Sequence, residues 1–246
     1  TKKDKKGNKK PTCLNAKDFG IPQNRERIFV ICVRKDVDTY DFEFPIGKDY
    51  GIRLKDILEN EVDEKYYLSE EYLERFKNSL NNKELQHKIP KAGAYEVIGT
   101  TVTPEAKGTN SRHWVYSTDK LISTIDATTY KQPKQILDIN KLSEDGKTIC
   151  EQRSDEGLRF FKDNICGTIR TIDAGGDKRV IENLPFRIRK LTPTECWRLM
   201  GFRDEHINKA MELGISDSQL YKQAGNSIVV NVLYCIFKNL FKDYIK

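Results

Sequence analysis

The sequence predicts an α/β protein, and three observations support this fold class. Residues 27–34 are a continuous apolar, β-branched run bounded by arginines, which is typical of a strand buried on both faces. From about residue 92 to residue 185, short threonine-rich segments alternate with Gly, Asn and Asp turns, and this pattern predicts a mixed, mostly β region. Residues 186–246 show helical spacing of apolar positions and recognisable helix caps.

A turn and a polar segment precede the first strand. Residues 20–22 (Gly-Ile-Pro) are the turn signal. If residues 23–27 are extended, Gln23, Arg25 and Arg27 share one face of the strand, because side chains alternate with a period of two. After a predicted helix-and-loop region, the predicted strands of the mostly β region cover residues 95–103, 113–117, 121–129, 148–152 and 168–173.

The helical end of the chain begins with a capping box. Residues 192–195 (Thr-Pro-Thr-Glu) place a capping threonine before a proline at the first helical position, and this helix is expected to stop at Gly201. A second short helix is predicted from Ser216 to Gly225. Asn226 and Ser227 then open a long predicted helix, whose apolar positions are Val229, Val232, Leu233, Ile236, Leu240 and Tyr244.

Composition excludes several classes of protein. The chain has 246 residues, of which 37% are hydrophobic and 33% are charged. This composition is ordinary for a soluble globular protein. No apolar run reaches the roughly 18 residues that a membrane span needs, and no apolar core follows the basic N-terminus as a secretory signal requires. The net charge of +6 is compatible with a polyanionic partner. The lysines of residues 2–10 form either a solvated tail or a phosphate-contacting arm.

The cysteines and histidines give no metal-binding pattern. Six scattered cysteines without a CxxC pair predict buried, reduced thiols in a cytosolic protein. Three histidines lie far apart, so no metal site is predicted. The first residue is Thr1 and not Met, which suggests processing or an origin inside a longer protein.

Three blocks in order resemble motifs of the DNA cytosine-5 methyltransferases. They are QNRERIF at 23–29, RKLTPTECWRLMGF at 189–202 and QAGNSIVVNVL at 223–233, similar to the family's Gln-x-Arg-x-Arg strand motif and its last two motifs. The resemblance covers residues 12–34 and 186–246 directly. It implies the C-terminal part of an S-adenosylmethionine-dependent methyltransferase (Rossmann-like) fold together with a mixed, mostly β target-recognition domain.

The same resemblance divides the chain into four segments. Residues 1–44 are expected to end the catalytic domain with its last central strands, and residues 45–185 to form the target-recognition domain. Residues 186–216 would be connecting helices. Residues 217–246 would hold the C-terminal helix that returns to the catalytic domain.

Methylation of cytosine C5 sets the chemistry that the motif residues must serve. A thiolate must add to C6, and the base must first leave the DNA stack. A positive multi-donor side chain at the pyrimidine O2 would hold the flipped base, and the resemblance gives that role to Arg27. Arg25 would support the catalytic loop and pocket, and Gln23 begins the motif. The alternative is a strand that ends in solvated arginines.

The resemblance also implies cofactor and DNA contacts. Gly225, Asn226 and Ser227 would contact the methionine carboxylate of S-adenosylmethionine. The alternative is purely structural, because the C-cap of one helix followed by the N-cap of the next would have the same sequence. Trp197 and Arg198 are expected to be structural. The candidate residues for reading DNA are Thr168, Arg170, Lys178 and Arg179, and hairpin turns with exposed charges explain them equally well.

The catalytic cysteine motif of the family is not found in the sequence. No glycine-rich cofactor loop and no Glu-Asn-Val is present, and no cysteine follows proline; Cys13 stands in Pro-Thr-Cys-Leu. The chain is therefore predicted to be a fragment of a longer enzyme or one subunit of a split enzyme, which needs the N-terminal part for activity.

The predicted protein is a DNA cytosine-5 methyltransferase of the restriction-modification type that acts on duplex DNA. It is expected in the cytoplasm, encoded by a bacterium or a phage. Two alternatives stay open, a non-catalytic sequence-specific DNA-binding module and an RNA cytosine-5 methyltransferase of the same fold.

Overall fold

The computed structural model describes residues 13–34, 36, 42–90, 93–103, 111–138, 148–153, 157–160, 177–181 and 187–242. These residues form two compact units. The first unit draws its residues from 1–59, 119–131 and 193–246, and the second from 60–118 and 132–192. The predicted target-recognition segment 45–185 thus contributes residues to both units.

Short strands and helices follow one another along the described ranges. The strands are β1 (Cys13–Asn15), β2 (Gln23–Asn24), β3 (Glu26–Ile28), β4 (Val97–Thr100), β5 (Trp114–Tyr116), β6 (Ile122–Ser123), β7 (Gln135–Asp138), β8 (Thr148–Arg153), β9 (Gly157–Phe160), β10 (Asp177–Ile181) and β11 (Arg187–Lys190). The α-helices are α1 (Glu70–Asn81), α2 (Lys83–Lys88), α3 (Pro193–Arg198), α4 (Asp204–Glu212), α5 (Asp217–Asn226) and α6 (Val230–Leu240). Short 3-10 helices cover Ala16–Phe19, Leu54–Ile57, Glu64–Tyr66 and Ala127–Tyr130.

Among the described residues, the first unit contains two small strand pairs, four α-helices and three 3-10 helices. β1 pairs antiparallel with β3, and β2 pairs parallel with β6. The 3-10 helix after β1 is capped by Asn15 and ends at Gly20, whose φ of 78° favours glycine. Trp197 of α3 donates its indole N–H to the Leu220 carbonyl of α5 at 3.0 Å. Arg198 forms a paired ion contact with Asp204 at 2.8 and 2.6 Å, as expected for structural residues of this segment.

A four-stranded sheet covered by α1 forms the core of the second unit. The strand order is β11-β7-β5-β4, with β5 and β7 parallel and the outer pairs antiparallel. Leu73 and Phe76 of α1 pack against the sheet residues Val115, Leu137 and Ile188. This close packing requires a glycine in β4, because a Cβ on the residue at position 99 would lie 2.4 Å from the Phe76 ring. A further antiparallel sheet has the order β10-β8-β9.

A buried ion pair links two strands of the second unit. Arg189 on β11 donates through Nε to Asp138 Oδ2 on β7 at 2.9 Å, and the Tyr67 hydroxyl donates to the same oxygen at 2.9 Å. Burial and the neighbouring Asp138 carboxylate raise the pKa of Tyr67. The Arg187 guanidinium stacks 4.0 Å from the Tyr67 ring centroid. These side chains therefore satisfy one another within the unit.

The strand predicted over residues 27–34 is wrong in length and in burial. β3 ends at Ile28, and the exposed fractions of Ile28 and Val30 are 60% and 80%. An apolar run becomes buried only where another element covers it, and among the described residues none covers these two side chains. The prediction of buried thiols is confirmed only in part. Among the described residues, Cys196 is buried, Cys235 is half-buried, and Cys13 and Cys32 are exposed.

The border between the last two helices also differs from the prediction. Gly225 and Asn226 end α5, Ser227 caps its C-terminus, and the long helix begins only at Val230. Ser227 N–H donates back to the carbonyls of Gln223 and Ala224, so the first helix continues through the glycine. The helix predicted to begin at Pro193 is confirmed as α3. Within the described ranges, no helix combines the length and apolarity that a membrane crossing needs.

Candidate active-site pocket

A cavity of about 280 Å³ lies within the first unit, where β1 and β3 meet the segment between α5 and α6. The cavity is lined mostly by apolar side chains, together with two arginines and one asparagine. The lining residues are Leu14, Ala16, Arg25, Arg27, Ile28, Phe29, Val30, Asn226, Ser227, Ile228, Val229 and Val232. The cavity therefore brings the arginine motif and the Asn226 turn together, although they lie at opposite ends of the sequence. This juxtaposition is what the methyltransferase interpretation requires.

Arg27 stands on the exposed rim of this pocket. It lies opposite Leu14 in the β1–β3 pair. Its guanidinium donates one hydrogen bond to the Glu26 carbonyl at 2.7 Å, and no other partner is found for it in the part of the chain that the structure describes. An arginine presents five N–H donors, so most of them stay available to a ligand.

Arg25, two residues earlier, is buried, and its guanidinium donates three hydrogen bonds. Its guanidinium donates to the carbonyl of Ile125, to that of Gly225 at 3.3 Å and to that of Ser227 at 3.1 Å. Its backbone N–H donates to Asn15 Oδ1 at 3.1 Å. The residue thus joins β1, the β2–β3 junction and the end of α5 at one point.

Electrostatics explain why a cation is stable at this position. The last carbonyls of a helix have no partner within the helix, and the helix dipole places partial negative charge there. Burial and, to a lesser degree, the charge of Arg27 lower the pKa of Arg25 to about 10, whereas Asp126 opposes that shift. At neutral pH the guanidinium stays charged and its donors match the orphan carbonyls of α5.

The predicted common face of the three motif residues is interrupted at Arg25. β2 ends before it and β3 begins after it, and its N–H also donates to the Gln23 carbonyl at 3.0 Å. Gln23 and Arg25 are therefore buried, while Arg27 is exposed. Gln23 does not line the pocket, and its amide nitrogen and oxygen find no hydrogen-bond partner among the described residues. A buried unpaired amide is rare in a complete protein core.

The three residues predicted to contact the cofactor differ in what they offer. Asn226 is exposed at the pocket, and no partner for its amide exists within the described ranges. The Ser227 hydroxyl donates to the Ala224 carbonyl at 2.8 Å and closes the end of α5. Gly225 is buried, and a Cβ there would lie 2.0 Å from the Asp126 carbonyl oxygen. Close packing therefore explains this glycine, and its contact with a cofactor stays a prediction.

The pocket fits part of the predicted cofactor. The Asn226 amide supplies a donor for a carboxylate, and the apolar side chains of Ile228, Val229 and Val232 lie beside it, as a thioether chain would require. The volume of about 280 Å³ is at the lower end for a ligand of this size. The described residues thus suit one moiety of S-adenosylmethionine.

The predicted DNA-reading residues are only partly within the described ranges. Thr168 and Arg170 lie outside them. Lys178 and Arg179 belong to β10, where their backbones pair with Glu151 and Cys150 of β8. The loop expected at these two positions is therefore a strand. Their role in reading DNA stays a prediction.

Sequence reasoning missed the segment around Ile125 and Asp126. A strand was predicted over 121–129, but only Ile122 and Ser123 are in a strand, and a 3-10 helix follows. Asp126 caps that helix by accepting the Thr128 N–H at 2.8 Å. The sequence did contain a sign of this turn, since Asp126 is a favourable N-cap residue and the three residues after it do not alternate between apolar and polar.

Comparison with known proteins identifies the family. The model of the C-5 cytosine-specific DNA methylase family matches residues 8–242, so the chain belongs to this family. The orphan methyltransferase M.SPBetaI of Bacillus phage SPbeta is 34% identical over 264 residues, covering 94% of this chain and 58% of that protein. The putative type II methyltransferase M.BsuMIIP of Bacillus subtilis (strain 168) matches with the same identity and coverage.

A more distant relative and a solved structure extend the comparison. The type II methyltransferase M2.ScrFI of Lactococcus lactis subsp. cremoris is 31% identical over 230 residues, covering 94% of this chain and 44% of that protein. The solved structure of the Entamoeba histolytica methyltransferase EhMeth matches with a TM-score of 0.48 and 14% identity, over 96% of this chain and 54% of that chain. The chain spans about half the length of the curated relatives it matches.

Proposed function

We propose that the chain is the C-terminal part of a DNA cytosine-5 methyltransferase of the restriction-modification type. The whole enzyme would transfer a methyl group from S-adenosylmethionine to C5 of a flipped cytosine in a specific duplex sequence. The observation that carries this proposal is the shared pocket of Arg27 and Asn226, in a chain of the cytosine-5 methylase family. The Bacillus and phage origin of the relatives favours a bacterial or phage-encoded cytoplasmic enzyme.

Arg27 and Arg25 have different roles, since only Arg27 would contact the base. Arg27 holds the pyrimidine O2 with its available donors and stabilises negative charge that develops on the ring, since charge-assisted hydrogen bonds are the strong ones. Arg25 does not reach the base, because its guanidinium is committed to three backbone carbonyls. Its role is to hold Arg27 and the end of α5 in place. Gln23, whose buried amide lacks a partner among the described residues, is available to a further segment of the site.

Asn226 orients the cofactor. S-adenosylmethionine, when bound, supplies the methyl group. The Asn226 amide would donate to the methionine carboxylate, and Ser227 closes the last turn of α5, which holds that amide at the pocket. The apolar side chains from Ile228 to Val232 exclude water beside it.

The nucleophilic cysteine belongs to an N-terminal part that this chain does not contain. Cys13 lies in β1 within Pro-Thr-Cys-Leu, which is not the family's nucleophile pattern. An exposed apolar surface supports the existence of a partner for the first unit. Val230, Tyr234 and Phe237 follow helical spacing on α6, and the exposed fractions of the last two are 64% and 49%. We expect the N-terminal part to cover this face of α6. Ile28 and Val30 are further exposed apolar residues of the first unit.

The target-recognition role goes to the segment 45–185, which includes most of the second unit. Its short strands and its turns are suited to present side chains to the edges of bases. Thr168, Arg170, Lys178 and Arg179 remain the candidates for that contact. Replacing residues 92–185 with those of a relative is expected to change the methylated sequence.

A methyl-transfer assay tests the proposal directly. The chain alone, mixed with labelled S-adenosylmethionine and cytosine-containing duplex DNA, is expected to transfer no methyl group. Joining it to the segment encoded before Thr1 is expected to produce transfer to C5 of cytosine. Tight sequence-specific binding without transfer in the joined protein would favour the non-catalytic DNA-binding module. Transfer to tRNA in preference to duplex DNA would favour the RNA cytosine-5 methyltransferase.

A further inference from the structure

A strap made of residues 119–131 crosses the first unit, although its neighbours on both sides in the chain belong to the second unit. Its start is anchored twice. The Asp119 carboxylate contacts Lys55 Nζ at 2.8 Å, and the Lys120 carbonyl accepts the Leu54 N–H at 3.0 Å. Two contacts at one end indicate that the strap has a defined course.

The strap then runs along the arginine motif. Ile122 and Ser123 pair in parallel with Gln23 and Asn24, and the Ile122 N–H donates to the Pro22 carbonyl at 2.9 Å. Thr124 adds a side-chain bond, because its Oγ1 donates to the Asn24 carbonyl at 2.8 Å. The strap therefore fixes the backbone that immediately precedes Arg25.

Its middle contacts both Arg25 and the end of α5. The Ile125 carbonyl accepts a hydrogen bond from the Arg25 guanidinium. The Asp126 backbone packs so closely on α5 that only glycine fits at position 225. Further along, Lys222 Nζ of α5 lies 4.4 Å from the Tyr130 ring centroid. The strap thus holds together the two elements that bear Arg27 and Asn226.

We propose that the strap is a positioning element for methyl transfer, with Thr124 as its key side chain. It sets the separation of Arg27 and Asn226 by fixing Arg25 on one side and the last turn of α5 on the other. This inference rests on the proposed function. It adds a role for residues that lie within the segment expected to read DNA. Small displacements of positioned groups lower turnover more than they lower binding.

The course of the chain gives the strap a second property. β5 precedes it and β7 follows it, and these two strands pair in parallel in the second unit, with Val115 opposite Gln135. Both ends of the strap are therefore tied to neighbouring strands of one sheet.

Three variants of the complete enzyme test the inference. Thr124→Val removes the hydroxyl donor and keeps the shape, and it is expected to lower kcat about tenfold or more with KM values little changed. Thr124→Ser restores the donor and is expected to restore kcat. Trp197→Phe is the matched control, because it removes a side-chain hydrogen bond to a carbonyl at the other end of α5, and it is expected to lower stability and leave kcat unchanged.

Amide hydrogen exchange gives a readout that needs no activity. Thr124→Val is expected to speed exchange at Ser227 and its neighbours, while the β5–β7 sheet stays protected as in the wild type. Unchanged exchange at Ser227 together with unchanged kcat overturns the inference. A fall in stability alone, equal to that of Trp197→Phe, also overturns it. A wild-type enzyme that transfers no methyl group would instead overturn the proposed function, and the exchange data would still decide the role of the strap.

Discussion

The two compact units differ in how completely each satisfies its own side chains. The second unit pairs Arg189 with Asp138 and Tyr67 and covers its sheet with α1. The first unit leaves Arg27 with available donors, and Gln23 has no side-chain partner among the described residues. Within the described residues, the buried ion pair of the second unit serves stability, whereas the first unit keeps side-chain donors for ligands and partners.

The largest effect on stability is expected for the buried ion pair of the second unit. Asp138→Ala should lower the free energy of unfolding by about 3 to 5 kcal/mol, because it leaves the buried Arg189 guanidinium uncompensated. Urea denaturation measures the change. The double variant Asp138→Leu with Arg189→Met should recover most of it, since no unpaired charge remains. A loss of less than about 1 kcal/mol in Asp138→Ala would remove the contrast between the units.

Arg27→Ala should affect turnover strongly and folding little. In the complete enzyme, kcat is expected to fall about a hundredfold to a thousandfold, because one charged donor to the base is lost. The free energy of unfolding should change by less than about 0.5 kcal/mol, since the side chain is exposed. Arg203→Ala, at an exposed arginine that is the N-cap residue of α4, is the control for charge. Equal losses in kcat and in DNA affinity would contradict the role assigned to Arg27.

Phe237→Asp should weaken association of the first unit with the N-terminal part. The dissociation constant is expected to rise about tenfold or more, because a charge would enter an apolar interface. Leu213→Asp is the matched control, since Leu213 is an apolar residue with an exposed fraction of 82% away from α6. Isothermal titration calorimetry measures both variants. Equal effects of the two substitutions would show that the α6 surface has no special role.

The smallest effect is expected at the exposed ion pair of Arg198 and Asp204. The hydrogen bond from Arg198 lowers the pKa of Asp204, so this carboxylate adds stability above its unfolded pKa and loses that contribution as the pH falls through the lower folded pKa. Asp204→Asn should therefore cost less than about 1 kcal/mol at neutral pH, because solvent screens the pair. The difference from the wild type should vanish in acid. A difference that is constant with pH would contradict this origin.

Local signals in the sequence were enough for much of the first unit. The Thr-Pro-Thr-Glu box predicted α3, and the order of the three motif blocks led to the correct family. The shared pocket brings Arg27 and Asn226 together, as the methyltransferase interpretation requires. Capping patterns and motif spacing are local or one-dimensional properties, so a single sequence contains them.

Other features depend on contacts that a single sequence does not display. The exposure of Ile28 and Val30 was missed because an apolar run indicates a need for burial and not what covers it. The start of α6 was misplaced because Asn226 and Ser227 were taken as the opening of that helix, whereas Asn226 ends α5 and Ser227 is its C-cap. Gly225 is required there by the close approach of the distant Asp126 backbone. The strap was missed for the same reason, since its partners lie about a hundred residues away along the chain.

The strap has a practical consequence for building chimaeric enzymes. A graft that exchanges residues 45–185 as one block would replace the carbonyl that anchors Arg25 and the backbone that fits Gly225. Splice points placed at 118/119 and 131/132 would keep those anchors native and transplant only the flanking segments of the second unit. Under the proposed function, such a graft is expected to change the recognised sequence while the host keeps its own strap and its turnover.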